Sequence, residues 1–302
     1  MTNEQRIKNL SVPSGPVDVV LDTDAYNEID DQFAIAYLLK YKDRLNTKAI
    51  YAAPFLNNKS KSAKVGMEKS YDEIIKLLSL LGETYDVYKG SDKFMDDENT
   101  PVITDAAKDL AERVNDYSPE NPLYVIAIGA ITNVASAILL NPKMAENAVV
   151  VWLGGHAHHY PHTREFNMYQ DIAAARVVMK SGVPLIQLPC VGVVSNFQLS
   201  KPELEYWLIG KNSLADYLAK NAIEEAESYA KGKPWTRVIW DVTAVAWLLN
   251  DENKFMESDI VPTRIPKYDD HYDEEYEGHP MRYVYNIKRD RLMEDMINKI
   301  NG

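Results

Sequence analysis

The chain has 302 residues, 46% of them apolar, which gives room for a deep core and is not the composition of a disordered protein. With 45 acidic against 33 basic residues the formal net charge is −12, a balance that disfavours nucleic acid and anionic membranes and suits a small neutral ligand. A lone cysteine, Cys190, excludes an intramolecular disulfide; no window reaches the roughly 18 apolar residues of a membrane span, and the opening MTNEQRIKNLSVPSG has no signal-peptide core, so a cytoplasmic location is expected.

The first element is VDVVLD, residues 17–22, whose β-branched run reads as a buried strand. It leads through TDAYNEI into a helix, DDQFAIAYLLKYK, then a second strand, TKAIYAA, and a polar loop, PFLNNKSKSAK. Residues 67–81 carry apolar side chains at helical spacing and end at Gly82, and YDVYKG reads as a short strand. The alternation continues with strand LYVIAIG (123–129), helix TNVASAILLNP (132–142), strand AVVVWLGG (148–155), helix DIAAARVVMKSG (171–182) and strand VPLIQLP (183–189). Cys190, just beyond it, is expected to be a packing residue.

Residues 200–231 are more polar and helix-rich. DVTAVAWLLN (241–250) predicts an apolar helix with Asp241 at its N-cap, 266–280 an exposed acidic loop, and MRYVYNIKRDRLMEDMINKI a closing strand and helix. Continuous apolar strands separated by helices predict an α/β fold: an open, mostly parallel, Rossmann-like sheet with helices on both faces. No repeat or linker divides it, so residues 1–302 are read as one domain.

The sharpest chemical signal is LDTDAYNEIDDQFAIAY (21–37), which sets Asp22, Asp24, Glu28, Asp30 and Asp31 at the carboxyl end of a strand and the start of a helix. Ligand sites of open α/β sheets lie at that edge. Acids at a helix N-terminus meet the macrodipole favourably, which accounts for Asp30 and Asp31 but not for all five. Crowded carboxylates are stabilised by a hard, oxygen-liganded cation such as Ca²⁺ or Mg²⁺.

This segment resembles the DTD-P-G-x-DD metal signature of the inosine-uridine-type nucleoside hydrolase family. Four further stretches agree in order and spacing: the loop holding Asn57 and Asn58, AIGAITNVA (127–135), REFNMYQD (164–171) and WDVTAVAWLL (240–249). The resemblance implies a nucleoside hydrolase fold, frequent assembly into homodimers or tetramers, and one Ca²⁺ held by Asp24, Asp31, Asp241 and the Ile128 carbonyl. It further implies Asp24 as general base for water, Asp30 on the ribose hydroxyls, and Asn167, Glu165 and one of Asn57 or Asn58 holding the sugar. The expected reaction is Ca²⁺-dependent hydrolysis of a ribonucleoside to free base and ribose; an unusual riboside, or a relative that binds without turnover, are the alternatives.

Three departures from the pattern bear on the site. Asp24 and Asp30 are six apart rather than four, so the AYNEI loop brings Asn27 or Glu28 into the site or bulges outward. Trp240 precedes Asp241 where pyrimidine-accepting relatives carry an assisting histidine and purine-preferring relatives carry a stacking tryptophan, so a purine substrate is expected. In GGHAHHYPHTREFN, His159 stands six residues before Glu165, where asparagine is common, and is the histidine of that loop expected to line the pocket and assist the leaving base.

Overall fold

The computed structural model describes residues 1–302. Helix α1 (Asn3–Asn9), capped by the Thr2 hydroxyl accepting from Gln5 N, precedes β1 (Val17–Thr23). Next come α2 (Asp30–Lys40), β2 (Leu45–Ala52), α3 (Ala63–Leu81), β3 (Val87–Lys89), α4 (Asp105–Arg113), β4 (Leu123–Ala127), α5 (Thr132–Leu140), α6 (Met144–Asn147) and β5 (Ala148–Leu153). The second half adds α7 (Phe166–Gln170), α8 (Ile172–Lys180), β6 (Leu185–Leu188), β7 (Gln198–Ser200), α9 (Lys201–Trp207), α10 (Ser213–Ala230) and β8 (Thr236–Val238). It closes with α11 (Val242–Trp247), β9 (Met256–Pro262), β10 (Pro280–Ile287) and α12 (Arg289–Asn301). No helix is long and apolar enough to cross a membrane.

Eight strands make one sheet in the order β3-β2-β1-β4-β5-β6-β10-β9, parallel except for β9, which runs antiparallel to β10. The winding reverses between β1 and β4, and at such a switch point the loops on either side part to leave a crevice above the strand carboxyl ends. Alternate side chains feed two cores. Val19, Leu21, Val149 and Val151 join the core on one face, while Val20, Val150 and Trp152 join the core on the other. That two-sided burial is why these strands read as unbroken apolar runs.

The strands and helices expected from periodicity are present, with differences that have physical causes. Helix α3 begins at Ala63, ahead of its apolar stripe, because Ser62 caps it by accepting from Val65 N; it ends at Gly82 in the left-handed conformation, φ 68°. Helix α4 and strand β9 escaped the pattern. The first is a charged segment whose apolar stripe is only Ala106, Ala107, Leu110 and Ala111, and the second is an edge strand with polar residues at 257–259. The segment 266–280 is the expected, largely exposed loop, and it is tethered. Tyr272 accepts from Gln187 Nε2 at 3.3 Å, and Thr163 N donates to Asp270 O at 2.7 Å, strapping it to the histidine-rich loop.

Candidate active and metal site

The ladder continues past the strand ends on both sides of the switch point. Ile128 N donates to Asp22 O at 2.9 Å and Ala53 N to Thr23 O at 2.8 Å, which hold the following loops in register around a half-open cavity. From β1 and its loop come Asp24, Asn27 and Glu28, from α2 Asp30 and Asp31, from the end of β4 Ile128, from the β5 loop Glu165 and Asn167, and from the β8–α11 corner Trp240 and Asp241.

Four carboxylates form the buried floor. Asp24 and Asp31 are 1% exposed, Asp30 and Asp241 3%, and ligating oxygens of Asp30, Asp31 and Asp241 lie within 4.8 Å of one another. None of the helix-start acids caps its helix: α2 has no side-chain cap, and Asp241, at the N-cap position of α11, makes no capping bond either. Asp241 thus occupies the expected N-cap position, with its carboxylate turned into the cluster rather than onto the helix. Asp24 Oδ2 and Asp30 Oδ1 are buried without any hydrogen-bond partner. Gly129 leaves room for this arrangement, since a Cβ there would stand 3.2 Å from Asp24 Cγ.

The electrostatics follow from that crowding. Burial, then the carboxylates of Asp31, Asp30 and Glu28, holds Asp24 well above the usual carboxylate range. Asp241 is raised by burial and then by Asp30, Asp31 and Asp24. Asp30 is raised by burial, Glu28 and Asp31, with Arg237 opposing. Asp31 is pushed up to about 7 by burial, although Thr23 Oγ1 donates to its Oδ1 at 2.5 Å. Behind the cavity, Asp22 is likewise raised to about 7 by burial and accepts from Asn133 Nδ2 at 2.7 Å. Buried hard oxygen donors with unpartnered lone pairs fit a hard divalent cation, which would remove the repulsion that otherwise forces these acids to protonate.

Glu165 caps α7, its two oxygens accepting from Gly155 N (2.8 Å), Asn167 N (3.0 Å) and Met168 N (3.0 Å). Asn167 Nδ2 donates to Leu153 O at 3.0 Å and to Ile128 O at 3.3 Å. Of the two candidates in the inserted loop, both line the cavity. Asn27 turns inward because its own N–H closes a turn onto Asp24 O at 2.7 Å.

Three expected positions fall outside the cavity lining. Asn57 stands one layer back, donating to Asn27 Oδ1 at 2.7 Å, and Asn58 is exposed. His159 is exposed at the tip of a turn closed by Tyr160 N donating to Ala157 O at 2.7 Å. The loop histidine that lines the cavity is His156, held there because Ala157 N pairs with Val191 O while Val191 N donates to His156 Nδ1 at 3.4 Å. Arg164, Leu153, Phe166, Val191 and Cys190 also line it without having been singled out for the site. Leu153 ends β5, and Cys190 and Val191 come just after β6, a position that was a usable signal.

The profile of the inosine-uridine preferring nucleoside hydrolase family matches residues 19–294. Among curated relatives, the pyrimidine-specific ribonucleoside hydrolase RihA of Salmonella arizonae is 28% identical over 161 residues, 51% of this chain and 49% of that one. RihA of Salmonella paratyphi A is 28% identical over 137 residues, 43% of each chain. The matched stretch thus spans about half or less of the length of these relatives. Among solved structures, the plant nucleoside hydrolase PpNRh1 superposes with a TM-score of 0.75 at 18% identity, covering 95% of this chain and 99% of that one. The purine-preferring ribonucleoside hydrolase of Gardnerella vaginalis gives 0.72 at 19% identity, covering 94% and 98%. At those identities the likeness establishes the fold, and together with the family profile it leads to one conclusion: this chain belongs to the inosine-uridine preferring nucleoside hydrolase family.

Proposed function

We propose that the protein is a nucleoside N-ribohydrolase that takes up one Ca²⁺ and cleaves the bond between ribose C1′ and a base nitrogen, with purine nucleosides preferred. The observation that carries this reading is the convergence of four buried carboxylates, two with unpartnered oxygens, at the sheet's switch point. Asp24, Asp31, Asp241 and the Ile128 carbonyl would hold the cation, with Asp30 beside them. When bound, such a cation lowers the pKa of a coordinated water and anchors vicinal hydroxyls.

The chain's own residues supply the rest. Asp24 accepts the proton of the water that attacks C1′, the C1′–N electron pair leaves with the base, whose nitrogen takes a proton from solvent, and Asp24 returns its own proton to solvent to close the cycle. Asp30 and the Asn167 amide fix the ribose, and the fixed carboxylates stabilise the positive charge that grows on the ring as the bond breaks. Trp240, half-buried against the core, gives the departing base a stacking surface. Glu165 acts chiefly by holding the loop that presents Asn167, since its oxygens are engaged by three backbone N–H groups.

The cation makes a prediction independent of turnover. Asp31 has a folded pKa of about 7 against roughly 3.9 in an unfolded chain, so the metal-free fold is least burdened below the lower value and loses stability as pH rises from the lower value to the higher, beyond which this group contributes no further loss. Chelator-treated protein should therefore melt at progressively lower temperature from pH 5 to pH 7. Added Ca²⁺ should abolish that trend, because binding displaces the same protons. A melting temperature that rises with pH in chelator-treated protein would contradict it. Elemental analysis of untreated protein should find about one divalent ion per chain.

A further inference from the structure

The two residues by which the loop after β1 exceeds the family spacing are not left loose. Glu28 Oε2 accepts from an Arg237 terminal nitrogen at 2.9 Å, and the Arg237 side chain is only 14% exposed. The same guanidinium reaches Tyr229 Oη at 3.0 Å and lies 3.6 Å from Glu225 of α10, while its Nε is buried without a partner. Lys59 completes the tie, donating to Asn27 O at 2.7 Å and pairing with Glu225 at 3.2 Å. Arg237 sits on β8, a three-residue strand paired only with β7, and a two-stranded ribbon that short is marginal without outside support. Three residues further on, the chain delivers Trp240 and Asp241 to the cavity.

We propose that Arg237 is a positioning residue: through Glu28 it clamps the lengthened loop that carries Asn27 against the β8 segment that carries Trp240, and so sets the wall of the cavity between them. Removing the clamp loosens that wall while leaving the carboxylate floor in place. The effect falls on substrate binding, because a misplaced wall weakens contacts in ground state and transition state alike. This deepens the hydrolase reading and rests on it for its kinetic part.

The test uses the Ca²⁺-loaded protein and the variants Glu28→Gln, Arg237→Gln and their combination. Each single variant should raise KM on the order of tenfold with a smaller change in kcat, and the double should equal either single rather than their product. Arg237→Lys should recover part of the loss. Hydrogen exchange, read without substrate, should quicken in 25–29 and 236–240 in both single variants and stay unchanged in β4 and β5. Unaltered exchange in those two segments, or multiplicative effects in the double variant, would overturn the proposal. Should Arg237→Gln not fold, Glu28→Gln, on a side chain 43% exposed, carries both readouts. A wild-type protein that hydrolyses no nucleoside while the exchange pattern appears as described would refute the activity and not the clamp.

Discussion

Replacing Asp24 by Asn is expected to lower kcat by at least the roughly 10²–10⁴-fold typical of removing a general base. Asp24 is 1% exposed, has one oxygen without any partner, and is held near three other carboxylates. The isosteric amide cannot accept the proton of an attacking water and is a poorer cation ligand, so the loss should exceed the lower bound. Folding should not suffer. An amide removes one of the mutually repelling charges, and circular dichroism and the metal-free melting temperature should match or exceed the parent. Turnover like that of the parent would move the base to another member of the floor, with Asp30 next in line.

The second large effect is on selectivity. Trp240→Ala is expected to depress turnover of inosine and adenosine by about tenfold to a hundredfold, taking stacking on a base as roughly 1–3 kcal/mol. Any uridine activity should fall less, because a pyrimidine offers a smaller π-surface. The curated RihA relatives are named as pyrimidine-specific, whereas the Gardnerella structure is named as purine-preferring, so the base is where this chain is least constrained by its relatives. Side-by-side kcat/KM values for purine and pyrimidine nucleosides decide it. Equal losses on both would assign Trp240 a packing role against the core. His159 is exposed at the surface, whereas His156 lines the cavity, so His156→Ala and His159→Ala belong on the same panel.

What was legible in the sequence depended on how a residue is held. Strands β1, β4, β5 and β6 are buried on both faces and wrote unbroken apolar runs, so the sheet and its carboxyl edge could be read directly. The acids of LDTDAYNEIDD stood out because five carboxylates within ten residues repel one another unless a cation or protons sit among them. The family resemblance supplied what spacing could not, bringing Ile128, Asn167 and Asp241 from three distant segments to the same cavity. Loop residues were less legible. Nothing in GGHAHHYPHT distinguishes His156 from His159, because the choice is made by a turn and by pairing with Val191 from another strand end. Asn57 lies behind Asn27, to whose Oδ1 it donates, a juxtaposition that sequence spacing does not reveal. Arg237 gave no signal at all, since its partners Glu28, Glu225 and Tyr229 come from segments that sequence alone could not juxtapose.

The chemistry of the cavity is tested most directly by a single assay. Purified protein loaded with Ca²⁺ is incubated with inosine, adenosine, guanosine, uridine and cytidine, and free base and reducing sugar are quantified together. The expected result is equimolar base and ribose, with a purine nucleoside turned over fastest and release abolished by chelator. Tight binding of a nucleoside by the Ca²⁺-loaded protein with neither base nor ribose released would contradict it.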